Sequence, residues 1–205
     1  NGVQASDIYV AVSDTADALG SWRFTSITGV AGSGTGAVAD FPSLGMDDMG
    51  VYISTNNYSS SSFTGTSLFS IPRADLFGGA PTTANRTRVD TAPAAPDIGI
   101  AIQGAVNWAG NPAAVASILT ASGAGNGLYF YQLNGVNAPG ATRTASTLTG
   151  GATYLAPLDA RQPNGTRLVN ATDDRIANAV YQANGKLYAV RTVRPTGADY
   201  DAVRW

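Results

Sequence analysis

The sequence predicts an all-β fold: a β-propeller, or a propeller segment of about four four-stranded blades, formed by residues 1–205 as a single domain. Three observations carry this expectation. The first is vocabulary. The chain has 24 Gly, 10 Pro and abundant Ser, Thr and Asn, but no Glu, no His, no Cys and one lysine, Lys186. Helical surfaces draw on Glu and Lys, whereas strands and tight turns draw on the residues that are plentiful here. The second is periodicity. Ile8, Val10 and Val12 alternate with their neighbours, as do Leu187 and Ala189 against Tyr188 and Val190, which is the period of a strand. The third is a recurring unit of apolar run, Gly-containing turn and Tyr-containing run. It appears as "FPSLGMDDMGVYISTN", as "AAVASIL" leading through "GAGNG" to "LYFYQL", and as "RIANAVYQANGKLYAVRT". Each reads as a hairpin.

Taken in order, the strand candidates begin with "DIYVAVS" and "SWRFTSITGV" and continue through the first hairpin to "SLFSIPR". "IGIAIQGAV", the second hairpin and "TRTASTL" follow, then the third hairpin and a terminal "AVRW". Only "PRADLF" and "PAAVASIL" also read as helical turns. Segments 31–36, 58–62 and 78–84 read as loops, and "PAAP" at 93–96 as a connection between blades. Tyr9, Tyr52, Tyr129 and Tyr188 are separated by 43, 77 and 59 residues. The first spacing suits one four-stranded blade. These tyrosines are therefore expected on equivalent strands of successive sheets, packed between blades. Gly50, Gly127 and Gly185 are expected to supply positive φ in the turns before three of them.

A formal charge of −2 with no basic cluster argues against nucleic-acid binding. The apolar runs are too short for a membrane-spanning helix. Without Cys or His, thiol chemistry, disulfides, serine–histidine catalysis and zinc sites are excluded. The low-lysine, Ser/Thr/Asn/Gly-rich composition points to an extracellular or cell-surface location. The chain enters a strand almost at once and stops on the strand signal of "YDAVRW", so it reads as a processed segment or a piece of something longer.

"ADFPSLGMDDMGVYISTNNY" followed by "SLFSIPRADLF" resembles a blade of bacterial exported propeller proteins of the sialidase-like, Asp-box type. "YVAVSDTADALGSWRF" and the stretch from "DARQPNG" to "AVRW" are similar to other parts of the same proteins, so about half of the chain is covered. The resemblance implies exported propeller architecture with more blades than 205 residues supply. Alone, the chain would form an open arc or a ring closed by additional chain. "SDTADALGSW" resembles the Asp box at stretched spacing, with Ser13, Asp14 or Asp17, Gly20 and Trp22. That implies a turn with Trp22 packed over it.

True sialidases activate a tyrosine with a Glu, because a phenol with a pKa of about 10 is a poor nucleophile unaided. This chain has no Glu. Paired-carboxylate glycosidases need two groups about 5–10 Å apart, and Asp47–Asp48 in "DDMG" reads as turn chemistry instead. The candidate ligand-binding residues are Trp108 in "AVNWAGNPA" with Tyr58 and Asn57 in "NNYSSSS", where an aromatic ring and an amide suit a sugar. Asn170, Asp173 and Asp174 in "NATDD" form the densest oxygen cluster and the candidate Ca²⁺ site. No other cofactor is expected. The expected function is a noncatalytic, exported or cell-surface module binding glycans or protein neighbours. The alternatives are part of a carbohydrate-active hydrolase using Asp carboxylates, and a structural subunit that self-assembles through open strand edges. The purified protein is expected to leave a fluorogenic sialoside intact. Turnover that disappears when one tyrosine is replaced by Phe would overturn this.

Overall fold

The computed structural model describes residues 6–29, 37–91, 100–108, 115–121, 128–134, 142–148, 154–163, 165–171 and 174–204. The described residues are predominantly β, with one short helix. β1 (Ile8–Ser13) and β2 (Trp22–Ile27) form an antiparallel hairpin. β3 (Ala37–Met46), β4 (Gly50–Ser59) and β5 (Ser62–Pro72) follow, then α1 (Arg73–Phe77) and β6 (Thr87–Thr91). A second run comprises β7 (Ile100–Val106), β8 (Val115–Ala121), β9 (Leu128–Asn134) and β10 (Thr142–Leu148). The C-terminal part contains β11 (Tyr154–Leu155), β12 (Ala160–Arg161), β13 (Leu168–Val169), β14 (Val180–Ala183), β15 (Lys186–Tyr188), β16 (Arg191–Pro195) and β17 (Ala202–Arg204).

β3 to β6 form one four-stranded antiparallel meander and β7 to β10 form another. Their first strands run parallel and meet where Met46 pairs with Val106. β14 lies parallel to β7 through Val180–Ala105 and Tyr181–Val106, and carries β15 as a hairpin. β11, β16 and β17 make a small separate sheet, as do β12 and β13. Among the described residues the sheets do not close into a ring.

The first meander is covered on both faces, so β4 is buried along nearly its whole length instead of alternating. On one face Val51 and Ile53 pair across the strands with Ile71 and Phe69. They pack with Leu76 of α1 and with Ile8, Val10, Val12 and Ile27 of the β1–β2 hairpin. Burying each such side chain stabilises the fold by about 1.5–3 kcal/mol. The opposite face carries Tyr52 and Ser54 of β4 beside their partners Gly45 and Ser43 of β3, and here β7 lies against it. Gly45 and Gly104 touch backbone to backbone, and a Cβ on Gly45 would sit 2.4 Å from the Gly104 carbonyl carbon. Ser43 Oγ donates to the Ile102 carbonyl at 2.6 Å, Ser54 Oγ donates to the same oxygen, and the two hydroxyls lie 2.7 Å apart. Farther along, the Asn56 side-chain oxygen accepts from the Ala101 amide at 2.9 Å. That bond holds Ala101 at a φ of 56° in the irregular stretch of β7 opposite β8.

All three hairpins read from the sequence form, as β3–β4, β8–β9 and β14–β15. "PRADLF" is helical and "PAAVASIL" supplies a strand, β8. The tyrosine repeat needs correction. Tyr52 is 1% exposed on the second strand of its meander, whereas Tyr9 is 76% and Tyr188 51% exposed. Tyr129 is on the third strand of the second meander, and β15 joins the same hydrogen-bonded sheet as β4. The unit that recurs is the four-stranded meander, and the tyrosines fall at different places in it.

The glycine expectation divides. Gly185 has a φ of 70° after Asn184 at 51°, the two-residue turn that Asn-Gly favours. Gly50 does not take positive φ. It is required for space, because a Cβ there would lie 2.3 Å from the Ile71 carbonyl oxygen. Gly127 lies outside the described residues, as do 31–36 and 93–96. The loop expected at 58–62 is shorter: Ser59 pairs with Ser62, leaving Ser60 and Ser61 as the turn, with φ of 48° and 78°.

Left-handed backbone costs a non-glycine residue about 1–2 kcal/mol. Ser61→Gly is accordingly expected to raise unfolding free energy by about 1 kcal/mol in urea titration. Gly45→Ala is expected to lower it by about 3 kcal/mol, since the added methyl meets backbone that cannot rotate away.

Candidate functional site

The parallel contact between β3 and β7 brings the C-terminal ends of two strands together. The Asn107 amide extends it by donating to the Met46 carbonyl at 2.8 Å. From that point the Asp47–Met49 turn and Trp108 emerge side by side. The Arg73 amide donates to the Met49 carbonyl at 2.9 Å, which brings α1 to the same place. The result is a cleft of about 470 Å³ with Met46 and Val51 at its apolar base. Asp47, Asp48, Arg73, Phe77, Asn107 and Trp108 complete its walls. Trp108 is 78% exposed and Phe77 is also exposed. The Arg73 guanidinium lies 5.8 Å from the centre of the Phe77 ring, one helical turn on. Asp48, Arg73 and Phe77 also line an adjoining groove along α1.

Asp47 anchors this wall. Its Oδ1 accepts from the amides of Met49 at 2.8 Å and Gly50 at 3.2 Å, which is the turn role expected of it. It also accepts from the Tyr52 hydroxyl at 2.8 Å. Burial raises the pKa of the Tyr52 phenol well above its ordinary value, and the adjacent Asp47 carboxylate adds to the shift. Tyr52 is therefore a neutral strut between the core and the rim of the cleft.

The other candidate residues are dispersed. Asn57 is buried, accepting from the Thr55 hydroxyl at 2.9 Å and donating to Ser67 Oγ at 2.7 Å. Ser67 in turn donates to Asp90 at 2.7 Å, which Arg88 also contacts. This network uses the Asn57 amide internally, which corrects its assignment as a ligand contact. Tyr58 packs edge-to-face on Phe63 with ring centres 5.6 Å apart. It lies seven positions along the strand from Val51 at the cleft, about 23 Å at 3.3 Å per residue. Trp108 and Tyr58 therefore do not share a site.

Asn170 is exposed, Asp174 is fully buried, and Asp173 lies outside the described residues. No group of three or more acidic side chains gathers among the described residues. Asp174 belongs to a different cluster, with Tyr154, Arg191 and Arg204. The Arg191 guanidinium stacks 4.3 Å from the Tyr154 ring centre and that of Arg204 lies at 5.3 Å. Desolvation lowers the Arg191 pKa, opposed by Tyr154 and Asp174, while burial raises that of Tyr154.

The Asp-box-like stretch is a turn, as expected. Asp17 Oδ1 accepts from the Leu19 amide at 2.9 Å, and the Trp22 indole donates across the turn to the Ala18 carbonyl at 3.1 Å. Other aspartates serve backbone amides too: Asp7 that of Gly29, Asp159 that of Ala171, and Asp201 that of Leu158. Arg73, Phe77 and Asn107 of the cleft were not singled out from sequence. The available signal was "PRADLF", a helical turn placing a cation and an aromatic ring four residues apart.

The chain matches no protein-family model, no curated protein and no solved structure.

The Tyr52–Asp47 bond makes a pH prediction. The Tyr52 pKa is higher folded than unfolded, so its stabilising effect is complete below about pH 10, where an unfolded tyrosine begins to ionise. It is lost progressively as pH rises beyond that value. Tyr52→Phe is expected to cost about 1.5–3 kcal/mol at neutral pH, the worth of a hydrogen bond to a charged group. Denaturant titrations from pH 8 to 11 should show a shallower decline in the variant than in the parent.

Proposed function

We propose that this chain is a noncatalytic β-propeller module, exported or at the cell surface, that binds glycans through the Trp108 cleft. The observation that carries the reading is the composition of that cleft. Exposed Trp108 and Phe77 stand beside Asp48, Arg73 and Asn107, where the two meanders meet. A pyranose ring has an apolar face of C–H groups and a rim of hydroxyls. It is matched by an aromatic platform bordered by a few fixed polar groups.

Two consecutive four-stranded antiparallel meanders, with their first strands adjacent and parallel, support the propeller reading. They agree with the resemblance carried by "ADFPSLGMDDMGVYISTNNY". The engagement of Asp7, Asp17, Asp47, Asp159 and Asp201 with backbone amides favours a binding module over a hydrolase built on paired carboxylates.

A second reading, a subunit of an extracellular assembly, is favoured by one feature. The face of the β1–β2 hairpin turned away from the core presents Tyr9, Phe24 and Trp22 to solvent. Such a face suits protein neighbours.

Immobilised-glycan binding tests the leading reading. Trp108→Ala is expected to weaken retention at least about tenfold, the effect of losing an aromatic anchor. Its melting temperature should be unchanged, because the side chain is mostly in solvent. Equal retention by the variant and the parent would remove the cleft from the proposal.

A further inference from the structure

We infer that the Trp108 cleft selects uncharged pyranose rings and rejects sugars that carry a carboxylate, such as uronic and sialic acids. This rests on the glycan-binding reading above and assigns the ligand class within it.

The charges around the cleft decide the selectivity. Among the described residues that line the cleft, two carboxylates, Asp47 and Asp48, stand with one guanidinium, Arg73, a formal sum of one negative charge. The Asp47 carboxylate cannot swing away from an incoming anion. Two backbone amides and the Tyr52 hydroxyl hold it in place. The Arg73 charge is already directed towards the Phe77 ring. A sugar carboxylate entering here would sit beside two like charges in a partly desolvated cleft, where repulsion is stronger than in bulk water. A neutral ring has the opposite balance. Its hydroxyls donate to the exposed Asp48 carboxylate in charge-assisted hydrogen bonds. Its C–H face lies on the Trp108 indole. The resemblance to sialidase-like proteins would have led to an anionic sugar, and the local charge balance points the other way.

The experiment uses the full chain and matched glycan pairs that differ by one acidic sugar, such as lactose with sialyllactose and gluco-oligosaccharides with their glucuronate-bearing forms. Each is measured by frontal affinity chromatography at low salt and in 1 M NaCl. The neutral member of each retained pair is expected to bind at least about tenfold tighter at low salt. The gap should shrink in 1 M NaCl, where the screening length falls to about 3 Å. Asp48→Asn, at an exposed position that does not threaten the fold, should weaken neutral binding and narrow the gap.

Tighter binding of the acidic member, abolished by Trp108→Ala, overturns the selectivity while leaving the glycan-binding cleft intact. A gap that ignores both salt and Asp48→Asn overturns the electrostatic origin of the selectivity. If no glycan is retained by the parent chain, the glycan-binding reading fails and this inference fails with it.

Discussion

The arrangement of the molecule depends on how closely β7 approaches the face of the first meander. Gly45 and Gly104 remove the side chains that would hold the two backbones apart. Ser43 and Ser54 then bind the Ile102 carbonyl, which could not otherwise be buried at low cost. Two hydroxyls and one carbonyl oxygen are thus gathered in one buried place. An apolar pair in place of the serines would strand a buried carbonyl, and any larger residue in place of either glycine would separate the sheets.

This approach also accounts for the two unlike faces of β4. Toward β1 and β2 the strand is an ordinary apolar core, where Val51 and Ile53 meet Phe69 and Ile71. Toward β7 the same strand offers Ser54, Asn56 and the tyrosine strut, because contact on that side is made through backbone groups that need partners. A strand with water on one face would have alternated in polarity. β4 instead is buried on both faces along nearly its whole length.

These particulars show what could be read in the sequence and what could not. Hairpins, the short helix and the Asp17–Trp22 turn were legible because turn residues and strand period act over a few positions. The tyrosine repeat was misleading, since aliphatic–Tyr pairs suit any strand and say nothing about its rank within a sheet. Gly50 was correctly marked as special, but for the wrong physical reason: its constraint comes from Ile71, twenty-one residues away. The cleft was half legible. Trp108 could be singled out by its loop context, but Asn107 reaches it through the Met46–Val106 contact, and Arg73 and Phe77 through the bond from the Arg73 amide to the Met49 carbonyl, which no local pattern encodes. Asn57 was misassigned because its internal partners, Ser67 and through it Asp90, lie on later strands.

The Asp47 carboxylate carries one more consequence. It gathers a phenol from the core and two amides from the rim onto a single oxygen, so the rim cannot loosen without disturbing the interior. The amides of Met49 and Gly50 are thus reporters embedded in the cleft wall. An occupant that steadies the Asp47–Asp48 turn would slow the exchange of those two hydrogens with deuterated solvent, while the amides around the Ser60–Ser61 turn, at the far end of the same strand, would keep their own pace.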